Sequence, residues 1–456
     1  MSELIDTSLD YSVYNYNHST LHYRNVAPQT AADVTLAAAS VVGPTQFVIS
    51  SSVFNPAKSR LNFTVSGVLT TATNFAWAQG QTLSTINRIV CYDMNTSAIF
   101  ADINNAGDIY NMLSPVTNKA ETLRHKSGFQ GLGATAAAAG LQPYEDLTKA
   151  GLNQVNAVNQ DVSGNNDYFQ VQQLIPTLAA GNVQARFSIP LSAFQHTFFS
   201  IDKMIYNPSN IAIDVYWEGF GQTVFASGSQ TNPTTATVEA FASATITGSS
   251  IGLSLCTEGN VNVASQIIQK VMSSGLSMPI GYVTGIKQNI TSATPSLTLP
   301  LTAAYGKKIL YLVTAPFIVP TAANNIKLHS KWAGALSTTN RIVNYNTFIN
   351  GVPILAPAGF NGALSEDYTI ANKQYLEGSC IQTQVDYNYL WCHIDNFART
   401  RLCELDPANV DGLDVTSQQA NWQIQYTLDS STAFNHFIAV VGQKVMSITS
   451  QGATVA

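Results

Sequence analysis

The first 44 residues carry no sustained hydrophobic period: Tyr11, Tyr14, Tyr16 and Tyr23 are scattered among Asn, Ser and His. Such a stretch (1–44) predicts an irregular arm whose tyrosines gain order by packing on a neighbour. From Gln46 alternation takes over. Phe47 and Ile49, then Leu61, Phe63 and Val65, predict two strands on either side of a turn at Asn55-Pro56-Ala57-Lys58. The pattern continues from Phe75 to Tyr92 through Trp77, Leu83, Ile86 and Arg88-Ile89-Val90. A helix capped by Asp102 is expected next, with Ile103, Ala106, Tyr110 and Leu113 on one face and Pro115 ending it. Residues 116–184 are rich in Gly, Asn, Gln and Ala and predict long excursions between strands, where binding or contact functions tend to sit. Alternation returns in Phe187, Ile189 and Leu191. After the aromatic segment Phe194, Phe198, Phe199 and the turn Asn207-Pro208-Ser209-Asn210, the residues Ile211, Ile213, Val215 and Trp217 predict a strand with one buried face. Residues 227–235 read as a loop, and Val238 to Leu255 as two further strands.

One amphipathic helix is clear. In Asn260 to Ser274, Val263, Ala264, Ile267, Ile268, Val271 and Met272 share a face, and Gly275 supplies the stop. Around it, residues 259–278 form a linker between a first module (45–258) and a second (279–456). In the second module, Leu297, Leu299, Leu301 and the run Ile309 to Val313 mirror the opening strands of the first. Phe348 to Ile354, a helix near Glu366 to Leu376, and strands around Val385 to Ile394, Trp422 to Leu428 and Phe437 to Ile448 complete it. A repeat supports the division: Leu83-Ser84-Thr85-Ile86-Asn87-Arg88-Ile89-Val90-Cys91-Tyr92 recurs as Leu336 to Tyr345 with eight of ten positions identical, and a Trp-Ala pair precedes each copy (Trp77, Trp332). About eight short strands per module and few helices indicate an all-β chain of two tandem sandwiches, with short helices in the connections.

Composition changes the picture in one respect. Charged residues are 11% of the 456, against about 25% in ordinary soluble domains, while hydrophobic residues are 45%. The surface is therefore covered by neutral polar groups or buried against other chains. The net charge of −6 and the single basic residue in the first 57, Arg24, disfavour a basic arm for packaging nucleic acid. No apolar run reaches the length of a membrane span, and the N-terminus lacks a secretory pattern. Five cysteines without a Cys-x-x-Cys indicate free thiols made in a reducing compartment, and the sequons at Asn17, Asn62, Asn95 and Asn289 are expected to stay unmodified.

Candidate chemistry is sparse. Asp102-Ile103-Asn104-Asn105-Ala106-Gly107 begins like a calcium loop, but Ala106 and Leu113 replace needed ligands, so a helix cap is the expectation. Cys380, Cys392, His393 and Cys403 fit no common zinc spacing and read as buried thiols in strands. Glu366, Asp367, Asp411 and Asp414 offer carboxylates without a legible catalytic pairing. Arg124-His125-Lys126 reads as a solvated helix end or a partner for a neighbour's acids. No enzyme, cofactor or metal site is expected. Arg88 and Arg341, at one position of both repeats, call for a buried or interface acceptor such as a carboxylate; an outward-facing arginine on a half-buried strand is the equal alternative. With Trp77 and Trp332 they mark architecture or an interface.

Phe187-Ser188-Ile189-Pro190-Leu191-Ser192-Ala193-Phe194 with the strand that follows, Ser249 to Cys256, and Asn350-Gly351-Val352-Pro353-Ile354 together resemble segments of the double jelly-roll major capsid proteins of tailless icosahedral DNA viruses, the virophage and polinton-like group among them. The resemblance implies two jelly rolls per chain, a homotrimer forming a pseudo-hexameric capsomer, and a virion shell around a DNA genome. Its implied partners are further copies of the chain, with minor capsid, penton or membrane-associated virion proteins, and no strong direct contact with nucleic acid. The alternative is a spike or carbohydrate-binding sandwich that uses the loops in 116–184 and 355–365; a polysaccharide-acting enzyme is the third reading.

Overall fold

The alternating stretches form two antiparallel sandwiches in sequence. The structure, a computed structural model, describes residues 19–36, 41–69, 73–75, 83, 85–118, 134–137, 140–143, 175–178, 181–218, 244–291, 294–318, 342–354, 376–379, 392–416, 419–428 and 434–456. The first half contains β1 (Leu21–Val26), β2 (Val34–Leu36), β3 (Val42–Ile49), β4 (Val53–Leu69), β5 (Thr73–Phe75), β6 (Ile86–Asp93) and β7 (Ile99–Asn104). Helix α1 (Ala106–Thr117) follows, then β8 (Ala134–Ala137), β9 (Gly140–Pro143), β10 (Ile175–Leu178), β11 (Gly181–Pro190), β12 (Ile205–Tyr206), β13 (Ile211–Trp217), β14 (Ala244–Ile246) and β15 (Gly252–Glu258). One sheet runs β1-β15-β4-β14-β2 with β11 and β12 also on β4; the facing sheet runs β3-β13-β6-β7. The pairs β5–β10 and β8–β9 stand apart as ribbons.

Helix α2 (Val261–Ser274) leads into the second half. There follow β16 (Leu276–Ile290), β17 (Ser296–Leu301), β18 (Lys308–Ile318), β19 (Ile342–Ile349), β20 (Val352–Pro353), β21 (His393–Asn396), β22 (Leu413–Asp414), β23 (Ala420–Leu428), β24 (Phe434–Thr449) and β25 (Gly452–Val455). One sheet runs β16-β24-β18-β21 with β22 on β18 and β25 on β24; the other runs β17-β23-β19-β20. The halves share a common frame. In each, the first strand pairs with the last long one (β1 with β15, β16 with β24), that strand pairs with the next long strand (β4, β18), and the facing sheets align as β3-β13-β6-β7 with β17-β23-β19-β20.

Local chemistry explains most elements. In β17 the pattern Ser-Leu-Thr-Leu-Pro-Leu alternates exposed and buried positions along its whole length, as a strand covering one face should. Asn260 caps α2 by accepting from the N–H groups of Asn262 and Val263, and Gly275 at φ 71° ends it with its N–H on the Val271 carbonyl. Val263, Ile267 and Val271 are buried, whereas Met272, expected on the same face, is exposed, and residues 276–278 open β16 instead of extending a linker.

Several expectations change, beginning with the arm: residues 21–26 and 34–36, expected to be irregular, are strands β1 and β2. Asn55-Pro56-Ala57-Lys58 is no turn between strands, because β4 runs through it: Asn55 pairs with Cys256 and Arg60 with Ser254, so residues 56–59 bulge opposite Leu255. Asn55 closes that bulge, taking the Lys58 N–H on its side chain (3.0 Å) and the Ser59 hydroxyl on its carbonyl (2.7 Å). Asp102 does not cap the helix; it lies in β7, and α1 starts after Asn105 in the left-handed region (φ 51°). Pro115 sits inside the last turn of α1, which continues to Thr117, where the Thr117 hydroxyl and the Asn118 amide take the carbonyls of Leu113 and Ser114. Finally, β13, the strand between β3 and β6, is buried on both faces, Ala212 and Asp214 included.

Where the repeat is described it runs into counterpart strands, β6 from Ile86 and β19 from Ile342. Its copies nevertheless face differently. An extra residue, Val343, bulges out of β19 between the paired Ile342 and Asn344, and Tyr345 turns into the core; in β6 it is Cys91 that is in the core, while Tyr92 is half-exposed and receives a hydrogen bond from Gln46. The helix expected near 366–376 lies outside the described residues except for Leu376, and of the strands expected around 385–394 only the end is described, where His393 and Ile394 open β21.

Candidate functional site

The two sandwiches meet along a seam. On the first half it is built by β7, α1 and residues 195–200, and on the second by β16, β18, β24 and β25. Two glycines of β16 allow the approach. A Cβ on Gly285 would stand 2.1 Å from the Asn104 carbonyl oxygen and 2.6 Å from Ile109, and one on Gly281 would stand 2.3 Å from the His196 carbonyl oxygen. Four residues apart on one strand, they lie on the same face, so backbone packs on backbone along the seam. Beside them the Tyr311 hydroxyl bonds His196 Nδ1 at 2.9 Å, and the rings stand edge to face at 5.7 Å. Full burial raises the Tyr311 and Tyr110 hydroxyls far above the ordinary phenol range, so both act as neutral hydrogen-bonding groups; Tyr110 donates to the Gln195 carbonyl at 2.7 Å.

A charged cluster borders this contact. Arg88 Nε and Nη2 donate to the two carboxylate oxygens of Asp102, both at 2.7 Å, across the β6–β7 ladder, and the guanidinium lies 5.6 Å from the Tyr216 ring centroid. The bond to Asp102 raises the arginine's already high pKa. From the second half, Thr284 Oγ1 reaches the Asp102 carbonyl (3.5 Å), and Lys444 Nζ stands 3.6 Å from the ring centroid of Tyr282. Burial lowers the Lys444 pKa and raises that of Tyr282.

Asp93, at the end of β6, ties the far end of the seam. Its carboxylate is buried, and it accepts from the Ser209 hydroxyl, Asn207 Nδ2 (2.7 Å), the N–H groups of Asn95 (2.8 Å) and Thr96 (3.0 Å), and the Ala453 N–H of β25 (3.1 Å). Burial alone would raise its pKa; the bonds from Ser209, Asn207, Thr96 and Ala453 outweigh that and hold it at about 2. Thr96 Oγ1 returns a bond to the Ala453 carbonyl (2.6 Å), and Asn95 Nδ2 one to that of Gln451 (3.2 Å). A strand at the end of the chain is thus bonded to a turn some 360 positions earlier.

A second polar cluster fills the middle of the second sandwich. Trp422 Nε1 and Thr347 Oγ1, from one sheet, donate to the two oxygens of Asp395 in the other (2.5 and 3.2 Å). His393 Nε2 lies 3.0 Å from Asp395 Oδ1, under the Tyr345 ring. His436 bonds Thr314 and sits 3.4 Å from the Tyr426 hydroxyl; burial, with His393 adding to it, lowers its pKa to about 3, so it is neutral.

Of the residues singled out from the sequence, Arg88 is at the seam on a carboxylate, whereas Arg341, Trp77 and Trp332 lie outside the described residues. Asp102 is committed to Arg88 and is not arranged as a calcium ligand. Cys392 is buried and Cys403 half-buried; Cys380 lies outside the described residues, and no group of three His, Cys, Asp or Glu among the described residues is placed to hold a metal. Asp411 is exposed on Lys308, and Asp414 holds its own turn through Thr416. Glu366, Asp367, Arg124, His125 and Lys126 lie outside the described residues. Sequence reading missed Asp93, Gly281, Gly285 and the Asp395 cluster. The spacing of Gly281 and Gly285 within an otherwise strand-like run was the available signal for the glycines.

No protein-family model matches the sequence, and neither does any curated protein sequence. Solved structures do. The Faustovirus major capsid protein superposes with a TM-score of 0.58 at 10% identity, over 96% of this chain and 92% of that one. The capsid protein in the quasi-atomic model of the PBCV-1 virus capsid gives 0.54 at 10% identity, over 98% and 99%. A chain of the Sputnik virophage, solved by cryo-EM, gives 0.51 at 11% identity, over 97% and 91%. Two matched sandwiches joined through a short helix, aligned end to end with these chains, give this protein the double jelly-roll fold found in viral major capsid proteins.

Proposed function

We propose that this chain is a major capsid protein, a building block of an icosahedral virion shell enclosing a DNA genome. Three copies, with six sandwiches, form a pseudo-hexameric capsomer, and capsomers tile the shell with minor capsid, penton or membrane-associated proteins of the virion. The observation that carries the reading is the seam: two sandwiches of matching topology are locked side by side through apposed backbones, the Arg88–Asp102 pair and the Asp93 knot, so one chain is a rigid third of a six-part ring. In this reading Arg88 is an architectural residue and the chain performs no catalysis. The low charge content supports it as well, because neutral polar and aromatic surfaces suit burial against other copies. Electron microscopy and light scattering of the purified protein test it. Trimers of a 48.9 kDa chain that pack into hexagonal arrays are expected; a monomer that persists at micromolar concentration overturns it.

A further inference from the structure

Each sandwich has an edge flank, where its first strand pairs with its last long one (β1 on β15, β16 on β24), and a hairpin flank on the facing sheet (β6–β7, β19–β20). The seam joins the hairpin flank of the first sandwich to the edge flank of the second: β7 meets β16, and the β6–β7 turn is bonded to β25, the strand following β24. That contact uses one flank of each kind. The complementary pair, the β19–β20 hairpin and the β1–β15 edge, faces outward. With the start of α2 beside it, it also carries the three most exposed large hydrophobic residues among those described: Val261, which opens α2 three residues after the end of β15, is 76% exposed, Val352 in β20 is 65% and Tyr23 in β1 is 59%, with Ile354 beside β20 at 39%. Asn350 (φ 51°) and Gly351 (φ 80°) make the tight turn that projects Val352 and Ile354.

We propose that a second copy of this chain occupies these flanks: the β19–β20 hairpin of one copy, through Val352 and Ile354, seats on the patch made by Tyr23 and Val261 of the next. The contact repeats between copies the arrangement that the seam shows within one. It is heterologous, a different surface on each partner, so three copies related by a three-fold rotation close it into a ring with no flank left over. The assignment rests on the capsid reading and adds the surfaces that close the trimer.

The test uses complementation. One variant carries Tyr23→Asp with Val261→Asp, the other Val352→Asp with Ile354→Asp, and Met94→Asp, exposed on the hairpin already docked within the chain, is the control; sedimentation gives the sizes. Each double variant alone should be monomeric, with self-association weakened at least about tenfold. Mixed in equal amounts they should form dimers and stop there, since each retains one intact flank and only one productive pairing exists. The control should remain trimeric. Trimers from either double variant, or a mixture that stays monomeric while wild type trimerises, overturn the assignment; a wild type that does not trimerise overturns the capsid reading itself. Should either aspartate pair alter thermal unfolding, the serine versions (Tyr23→Ser with Val261→Ser, Val352→Ser with Ile354→Ser) are read by the same criteria.

Discussion

The two sandwiches share a topology and differ in what fills them. The first packs Phe47, Phe63, Phe187 and Trp217 between its sheets, with Phe63 edge-on to Trp217 at 5.0 Å, and the Trp217 indole N–H is met by Thr45 Oγ1 at 2.8 Å. The second places Asp395, His393, His436, Thr314 and Thr347 around Trp422, Tyr426 and Tyr345. Strand order therefore does not dictate core chemistry. Apolar filling tolerates substitutions gradually, whereas a buried carboxylate with bonded partners fails when any one is removed.

Four experiments break or sharpen that contrast. Asp395→Ala leaves the Trp422 indole and its neighbours without their acceptor and should cost about 3 to 5 kcal/mol in denaturant unfolding, more than any single polar deletion in the first core. Gly285→Val drives a side chain into the Asn104 carbonyl and should cost about 1 to 3 kcal/mol. Because it strikes the seam and neither core, calorimetry should show one transition becoming two, as the sandwiches melt separately.

Acid provides the third. His436 has a folded pKa of about 3, below its ordinary 6.5, so its contribution is present above 6.5 and is lost as pH falls toward 3. Between pH 6.5 and 5 that loss is about 2 kcal/mol, and His436→Gln should flatten the dependence of Tm on pH in that interval. Asp93, held at about 2 against 3.8, contributes above 3.8 and loses its contribution only as pH falls toward 2, so mild acid should weaken the second sandwich before the seam. The smallest effect is expected from Thr45→Val, which removes one neutral hydrogen bond from Trp217; about 1 kcal/mol, measured by urea unfolding, would place the polar demand of the first core well below that of the second.

Much of the architecture was legible because it follows from short-range rules. Alternation located β13, β17 and β23, and Asn260 with Gly275 bounded α2 to within a residue. Errors arose where long-range bonds overrode local signals. Asn55-Pro56 reads as a turn, but β15 bridges it and the strand continues. Asp102 reads as a helix cap, but Arg88 takes its carboxylate. The Asp93 knot could not be read at all, since its donors come from residues 95–96, 207–209 and 453.

By itself the sequence determined the all-β class, the two-module plan and the sparing use of charge, because hydrophobic period and composition are local or summed properties of the chain. Only the tertiary structure decided which flanks meet, why Gly281 and Gly285 must be small, and which way each copy of the repeat faces. One bulged residue, Val343, reverses the side of a strand, and that choice is made by packing against the facing sheet, which no ten-residue window contains.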